Sequence, residues 1–463
     1  MGAEKLKRRM NKVHFITRDK SFYKEFFSLL VFIALQNLIV YCVNLADNVM
    51  LGRWSEEALS GVALANQIQF LLQMIVSSVG EGVVVLASQY WGKKDLRPIP
   101  DVNGVGLKIA LGTGLLFTLA GFFLPRQILS LMCNEAPVVS EGVKYMRIVC
   151  FTYLLYSAST VLLATMRSVE NVHIGMIVSV MALFVNVILN YAFIFGRLGC
   201  PRMGVEGAAL ATLIARACEL IVTLVFVLRL DKRLRMKAGE LFKSERTISR
   251  DYIRVATPVI LSGLSWGVAQ FIQAAILGHL GSAAVAANSM AMSLFSIVSV
   301  VAYGAGSAAA VFVGKLVGSG DQSRLREYVR TLQALFLLIG LITGTLIFVL
   351  KDGIISVYNV ADETRALARS FMTVLSITVV GSAYQAPCLT GIVRGGGRTS
   401  FVFYNDLIFQ WGMVITLSLL SAFVWKLSPV WVFFFLKSDQ LVKCIVAAFE
   451  VNSYRWIRKL TRG

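Results

Sequence analysis

Four oxygen-bearing side chains stand where long apolar runs could bring them together around a proton or a hard cation. Asp47 lies five residues before Gly52, at the end of the first run. At about 1.5 Å per residue it sits roughly 7 Å inside that helix end. Asn186 and Asn190 are i,i+4 partners on one helix face in the outer half of the fifth run. Thr212 falls two turns into the sixth run, which starts near Gly204. A carboxylate, two amides and a hydroxyl from three helices thus share one depth, and such a set suits a proton or a cation that prefers oxygen ligands, as Na⁺ does. An acid inside a membrane helix costs about 2.5–3.5 kcal/mol on insertion scales, which makes Asp47 a candidate for function by default. The competing reading is structural: Asp47 is a neutral packing acid, the asparagines are interhelical hydrogen-bonding groups, and Thr212 is a small residue for close helix approach.

Other charged groups inside apolar runs need partners. Glu81, between Gly80 and Gly82, lies about 12 Å from the inner end of the second run and reads either as a second proton carrier or as a structural acid. Arg216 and Glu219 are i,i+3 neighbours, spaced for a buried salt bridge that can extend to Glu81. In the second half of the chain Gln273 stands where the first half has Asp47. The seventh and tenth runs carry no acid, while Lys437, Asp439 and Lys443 can pair along one face and Asp406 lies near the inner start of the eleventh run. Coupling is therefore expected in the first half.

Nothing points to an enzyme or to a cofactor. The seven cysteines are odd in number and scattered, with no C-x-x-C pair. His14, His173 and His279 lie at or outside the ends of the runs, and no Walker A lysine motif is present.

These side chains need helices that cross a bilayer. Of 463 residues, 57% are hydrophobic and 15% charged, with mean hydropathy +0.70; a soluble domain carries about 25% charge. Apolar windows near the roughly 20 residues needed to span a membrane fall at 27–51, 59–88, 104–124, 143–166, 173–195, 205–229, 256–279, 284–316, 331–350, 368–392, 400–424 and 428–449. The expected fold is an all-α integral membrane protein of twelve helices. Lys and Arg crowd residues 5–12, 93–97, 232–243, 324–330 and 455–459 and are sparse in the alternate loops, which places both termini in the cytoplasm of a multi-pass plasma (inner) membrane protein. The net charge of +19 follows from this topology, with anionic lipid as the partner at the cytoplasmic face and no nucleic acid. The first run is too long for a cleaved signal core.

Residues 32–95 align without a gap onto 258–321 at a constant offset of 226, and ten of the 64 pairs are identical, including Gly52/Gly278, Gly80/Gly306 and Asp95/Asp321. A duplicated bundle with an even number of spans per copy describes two parallel six-helix repeats around a central path, the plan of an alternating-access transporter. The expected organisation is a basic N-terminal segment (1–26), an N-lobe (27–230), a cytoplasmic linker (231–254), a C-lobe (255–449) and a cytoplasmic tail (450–463). Within residues 5–26, Phe15, Phe22, Tyr23 and Phe26 alternate with basic residues, as in a short amphipathic helix on the inner leaflet or an unanchored tail. Pro258 and Pro387 are placed to bend spans.

The chain resembles the multidrug and toxic compound extrusion (MATE) antiporters. The resemblance rests on Asp47 to Gly52 (DNVMLG), Ser88 to Asp95 (SQYWGKKD), Arg167, Asn186 to Asn190 (NVILN) with Ile194 to Gly196 (IFG), Gly204 to Thr212 (GVEGAALAT) and Arg394 to Thr399 (RGGGRT). It implies a V-shaped pair of six-helix lobes that works as a monomer and exports cationic or amphipathic organic compounds in exchange for H⁺ or Na⁺. One branch of that family builds its cation site in the N-terminal lobe, and Asp47, Asn186 and Thr212 match its pattern. Asn190 stands where that branch usually has Asp, and Phe32 replaces a usual first-span proline. A flippase for lipid-linked sugars is the alternative; it needs several cationic side chains in its cavity, and only Arg216 and Lys437 lie in mid-span.

Overall fold

The computed structural model describes residues 16–358 and 360–462. His14, Phe15 and the basic residues from Lys5 to Lys12 lie outside the described residues. The described chain is helical throughout, without strands. Apart from two short helices, Pro125–Ser130 and Ala238–Glu240, its helices are α1 (Lys20–Gly52), α2 (Glu56–Lys93), α3 (Pro98–Phe123), α4 (Ala136–Val149), α5 (Thr152–Ser168), α6 (His173–Phe195), α7 (Val205–Leu230), α8 (Arg246–His279), α9 (Ser282–Ser319), α10 (Gln322–Val357), α11 (Asp362–Val393), α12 (Thr399–Val424), α13 (Pro429–Leu436) and α14 (Asp439–Ser453).

Ten helices among the described residues are long and apolar enough to cross a membrane. The fourth and twelfth places in the order are filled by broken segments. α4 and α5 together pass the same test but meet at a bend of 51°. The last segment is divided at Lys437 and Ser438 into α13 and α14. Neither break is marked by proline at the joint, so hydropathy alone cannot locate it. α11 continues past Pro387 as a π-helical stretch, Pro387–Val393, in which the missing proline N–H is absorbed by a widened turn.

The chain forms two compact units, with boundaries inside helices. One holds Phe32–Trp91 and Asp95–Val268; the other holds the described residues up to Val31, then Gly92–Lys94 and the chain from Ala269 onward. α1 and α8 therefore each contribute to both. In the second of these units, the start of α1 is anchored by aromatic packing. Phe22 and Phe26 are 1% and 0% exposed, and Phe22 meets the rings of Phe312 at 5.3 Å and Tyr328 at 4.7 Å. Residues 20–26 are thus the first turns of a packed helix, and their aromatic face is used against α9 and α10, not laid on a lipid surface. Just before α1, the Thr17 amide donates to Thr331 Oγ1 (2.9 Å), and the Tyr328 hydroxyl donates to Asp19 Oδ2 (2.5 Å). That bond, with the Ser21 amide, holds the Asp19 carboxyl below its ordinary value. The contact is present at neutral pH and is lost only when acid protonates Asp19 below the usual carboxylate range.

In the unit built on residues 32–268, the Tyr252 hydroxyl on α8 donates to Val79 O on α2 at 2.8 Å. Residues 231–245 lie along the ends of α3, α5 and α6. The Glu245 amide donates to Asp101 Oδ1 (2.9 Å), Asn103 Nδ2 to Leu241 O (3.4 Å), Lys108 Nζ to Ser244 Oγ (2.5 Å) and Asn171 Nδ2 to Asp231 Oδ1 (3.1 Å).

The α6–α7 connection fixes two of the chemically interesting helices. Gly196 ends α6 at φ +66°, in the left-handed region, and Gly204 opens α7 at φ +57° and ψ −124°, a conformation essentially restricted to glycine. A Cβ at Gly204 would lie 2.7 Å from the Trp54 ring, which also receives the Arg202 guanidinium at 4.4 Å. Gly204→Ala is expected to lower stability by about 2 kcal/mol through backbone strain alone. A thermal melt of the purified protein checks this, and an unchanged midpoint would show that the connection relaxes freely.

Candidate functional site

α1, α6 and α7 bring Asp47, Asn186, Asn190 and Thr212 into one hydrogen-bonded chain. Asn190 Nδ2 donates to Asp47 Oδ1 and, at 3.0 Å, to Asn186 Oδ1. Asn186 Nδ2 in turn donates to Thr212 Oγ1 (3.4 Å), and the Thr212 hydroxyl donates to Ala208 O, one turn back along α7 (3.0 Å). The i,i+4 spacing of the asparagines makes this possible, because it aims both amides from one face of α6. Asn186 and Asn190 are 2% and 0% exposed. Asn190 Oδ1 is buried without a hydrogen-bond partner. An unpaired amide acceptor beside a carboxylate can accept from a proton donor or ligate a cation.

Asp47, Asn186 and Thr212 line a partly open cavity of about 280 Å³ within this unit. Arg216 and Glu219 line it as well, joined by a salt bridge of 2.6 Å. Ser159 Oγ donates to the second oxygen of Glu219 (3.1 Å), and the Arg216 guanidinium stacks over the Tyr156 ring at 5.3 Å. The charge of Arg216 is thus matched locally. Glu81 does not join this group. It pairs with Arg167 at 2.8 Å, so the extended bridge expected from the sequence is replaced by two separate ion pairs.

Five carboxamides that an inventory of ionisable groups passes over line the same cavity: Asn44 and Asn48 from α1, and Asn66, Gln69 and Gln73 from α2. Their signal was available in the pattern. Asn44, Asp47 and Asn48 are i, i+3, i+4, and Asn66, Gln69 and Gln73 are i, i+3, i+7, so each set marks a polar stripe on an otherwise apolar helix.

In the other unit Lys443, 5% exposed, sits between Asp406 (3.2 Å) and Asp439 (3.3 Å). The i,i+4 pair of Asp439 and Lys443 is joined by an acid from α12, while Lys437 lies over the Phe433 ring at 5.8 Å. Among the described residues no group of three or more His, Cys, Asp and Glu side chains could hold a metal ion.

The family model MatE matches residues 33–192 and 258–420, most of the chain and both copies of the internal repeat. The chain belongs to the MatE family. MatE proteins are transporters, so this one is a multi-pass membrane transporter and not an enzyme. Similar proteins include the probable multidrug resistance protein NorM of Thermotoga maritima, 24% identical over 79% of this chain and 78% of the relative. Another is the uncharacterized transporter YisQ of Bacillus subtilis, 22% identical over 95% of this chain and 96% of the relative. Among solved structures, a MOP superfamily transporter from Pyrococcus furiosus matches at a TM-score of 0.85 and 18% identity, covering 98% of this chain and 99% of the other. A multidrug resistance MATE transporter in an outward-facing conformation matches at 0.84 and 18%, covering 95% and 97%. These structures share the fold of this MatE protein.

Breaking the Arg216–Glu219 pair from one side should be costly, because it strands a desolvated charge. Glu219→Gln is expected to lower stability by about 3 kcal/mol, and the double change Arg216→Leu/Glu219→Leu by clearly less. Thermal midpoints of wild type and the two variants test this; a double change that costs as much as Glu219→Gln or more would show that a stranded charge is not the cause.

Proposed function

We propose that this MatE protein is a secondary antiporter that exports small organic compounds from the cytoplasm across the inner membrane in exchange for H⁺ or Na⁺, with exchange coupled at Asp47, Asn186, Asn190 and Thr212. The observation that carries the reading is the hydrogen-bonded chain at Asp47 together with the unpartnered oxygen of Asn190. NorM proteins, named as probable multidrug resistance proteins, support the export of small organic molecules.

The coupling chemistry follows from the difference between an amide and a carboxylate. An ionised Asp47 accepts from Asn190 Nδ2. A protonated Asp47 donates and needs an acceptor instead, whereas Na⁺ held by the ionised carboxylate needs a further oxygen ligand; Oδ1 of the same amide can serve either. Binding the ion therefore rewrites the hydrogen bonds between α1 and α6. It favours one conformational state only by the difference in its affinity for the two states. Four oxygens from Asp47, Asn190, Asn186 and Thr212 form a donor set suited to Na⁺, and the single carboxylate suits one proton equally. A lipid-linked sugar flippase would need free cationic groups for a pyrophosphate, whereas Arg216 is matched by Glu219.

The test is efflux of a fluorescent organic cation from proteoliposomes under a pH gradient alone or a Na⁺ gradient alone. One gradient should drive transport, and that gradient names the ion. Asp47→Asn should reduce driven transport by about a hundredfold or more with the protein still folded. Equal driven transport in wild type and Asp47→Asn would remove the acid from the coupling step.

A further inference from the structure

The cavity beside Asp47 has a composition that exchange of an ion alone does not require. Resting on the antiport reading for the role of Asp47, we propose that this cavity binds a compact hydrophilic organic cation, an amine that also carries several hydroxyl or amide groups, in preference to a lipophilic cation.

Three observations lead there. Six carboxamides from α1, α2 and α6 converge on the cavity: Asn44, Asn48, Asn66, Gln69, Gln73 and Asn186. Of these only Asn186 is hydrogen-bonded within the protein among the described residues. Each free amide offers two donors and an acceptor. A lipophilic guest would strip their water and return no hydrogen bond, whereas a polyhydroxylated or amide-bearing guest satisfies them in pairs. Second, the charged groups that line the cavity are Asp47, Glu219 and Arg216. With all three ionised, two negative charges and one positive leave one net negative charge, which a single cationic group or the coupling ion balances. Third, the volume of about 280 Å³ lies just under the usual range of small-molecule sites and admits only a compact guest.

The internal repeat provides a control within the same chain. At the offset of 226, Asn66, Gln69 and Gln73 of α2 correspond to Met292, Phe295 and Ser299 of α9. Phe295 is 7% exposed and belongs to the hydrophobic cluster of its own unit, with Met292 packed against it. Ser299 is 2% exposed. A helix of this design therefore folds without amides at these positions, and the amide stripe of α2 answers to something other than helix packing.

Equilibrium binding to the purified full-length protein in detergent, with no gradient, tests the inference with two labelled probes, glucosamine and tetraphenylphosphonium. Wild type is expected to bind glucosamine more tightly than tetraphenylphosphonium. Gln69→Leu/Gln73→Leu, which removes both amides from positions where α9 has none, should weaken glucosamine at least tenfold, as loss of two hydrogen-bonding partners implies, while leaving or improving tetraphenylphosphonium. Asn66→Ala provides a second variant, and monodisperse elution confirms folding of each. A wild type that prefers tetraphenylphosphonium, that fails to bind glucosamine, or whose glucosamine affinity survives these substitutions overturns the inference, the amides then lining only a water-filled passage. Amide-dependent glucosamine binding in a protein that no ion gradient drives would keep this inference and refute antiport instead.

Discussion

The arrangement around Asp47 depends on one constraint: a carboxylate in the membrane interior whose hydrogen-bond partner is an amide and not a counter-charge. Arg216, the cation lining the same cavity, is held by Glu219 at 2.6 Å. The partner of Asp47 is Asn190, an uncharged group able to reverse from donor to acceptor. Had a guanidinium been the partner, the carboxylate would be pinned in its ionised form and removal of its charge by a proton or cation would be strongly opposed. With an amide the two charge states of Asp47 can both be satisfied. Gly196 and Gly204 then matter because they set the geometry of α6 against α7, and with it the reach of the asparagines to Thr212.

Duplication makes the specialisation visible. The two copies share glycines at the same register, yet Asp47 corresponds to Gln273, and the amide stripe of α2 to the Met292, Phe295 and Ser299 positions of α9. One unit turns these positions to a polar cavity, while in the other Met292 and Phe295 join a hydrophobic cluster. In the second unit Lys443 is instead held between two acids, Asp406 and Asp439. At these positions the asymmetry lies in side chains on helices that both copies share, so a repeat of low identity can keep a common plan while its halves take different chemistry.

Much of this was legible in the sequence because membrane helices write themselves plainly: long apolar runs, charge at their ends, and polar residues conspicuous inside. The four residues of the Asp47 chain were found by depth and helical spacing, both of which follow from a fixed rise per residue. The amides of α2 were not, since attention to ionisable groups overlooks neutral ones whose significance lies in their stripe. The partner of Glu81 depended on which helix packs against α2, information carried by tertiary contact and not by local pattern; Arg167 is the answer. The bend between α4 and α5 and the break before α14 were equally hidden, because neither has a proline at the joint. The aromatic residues at the start of α1 were ambiguous for a related reason: a stripe suited to a lipid surface is equally suited to a protein one.

The segment 231–245 has a bearing on how the gene itself can be cut and rejoined. It looks like a seam where two ancestral copies were fused, and a seam is the usual place to split a protein, insert a tag or permute its ends. Here the joining segment is fastened to the first half: Asp101, Asn103, Lys108 and Asn171 all bond to it. A cut within it would leave buried Asp101 and Asn103 facing groups they no longer hold, so the old point of fusion has ceased to be a point of modularity.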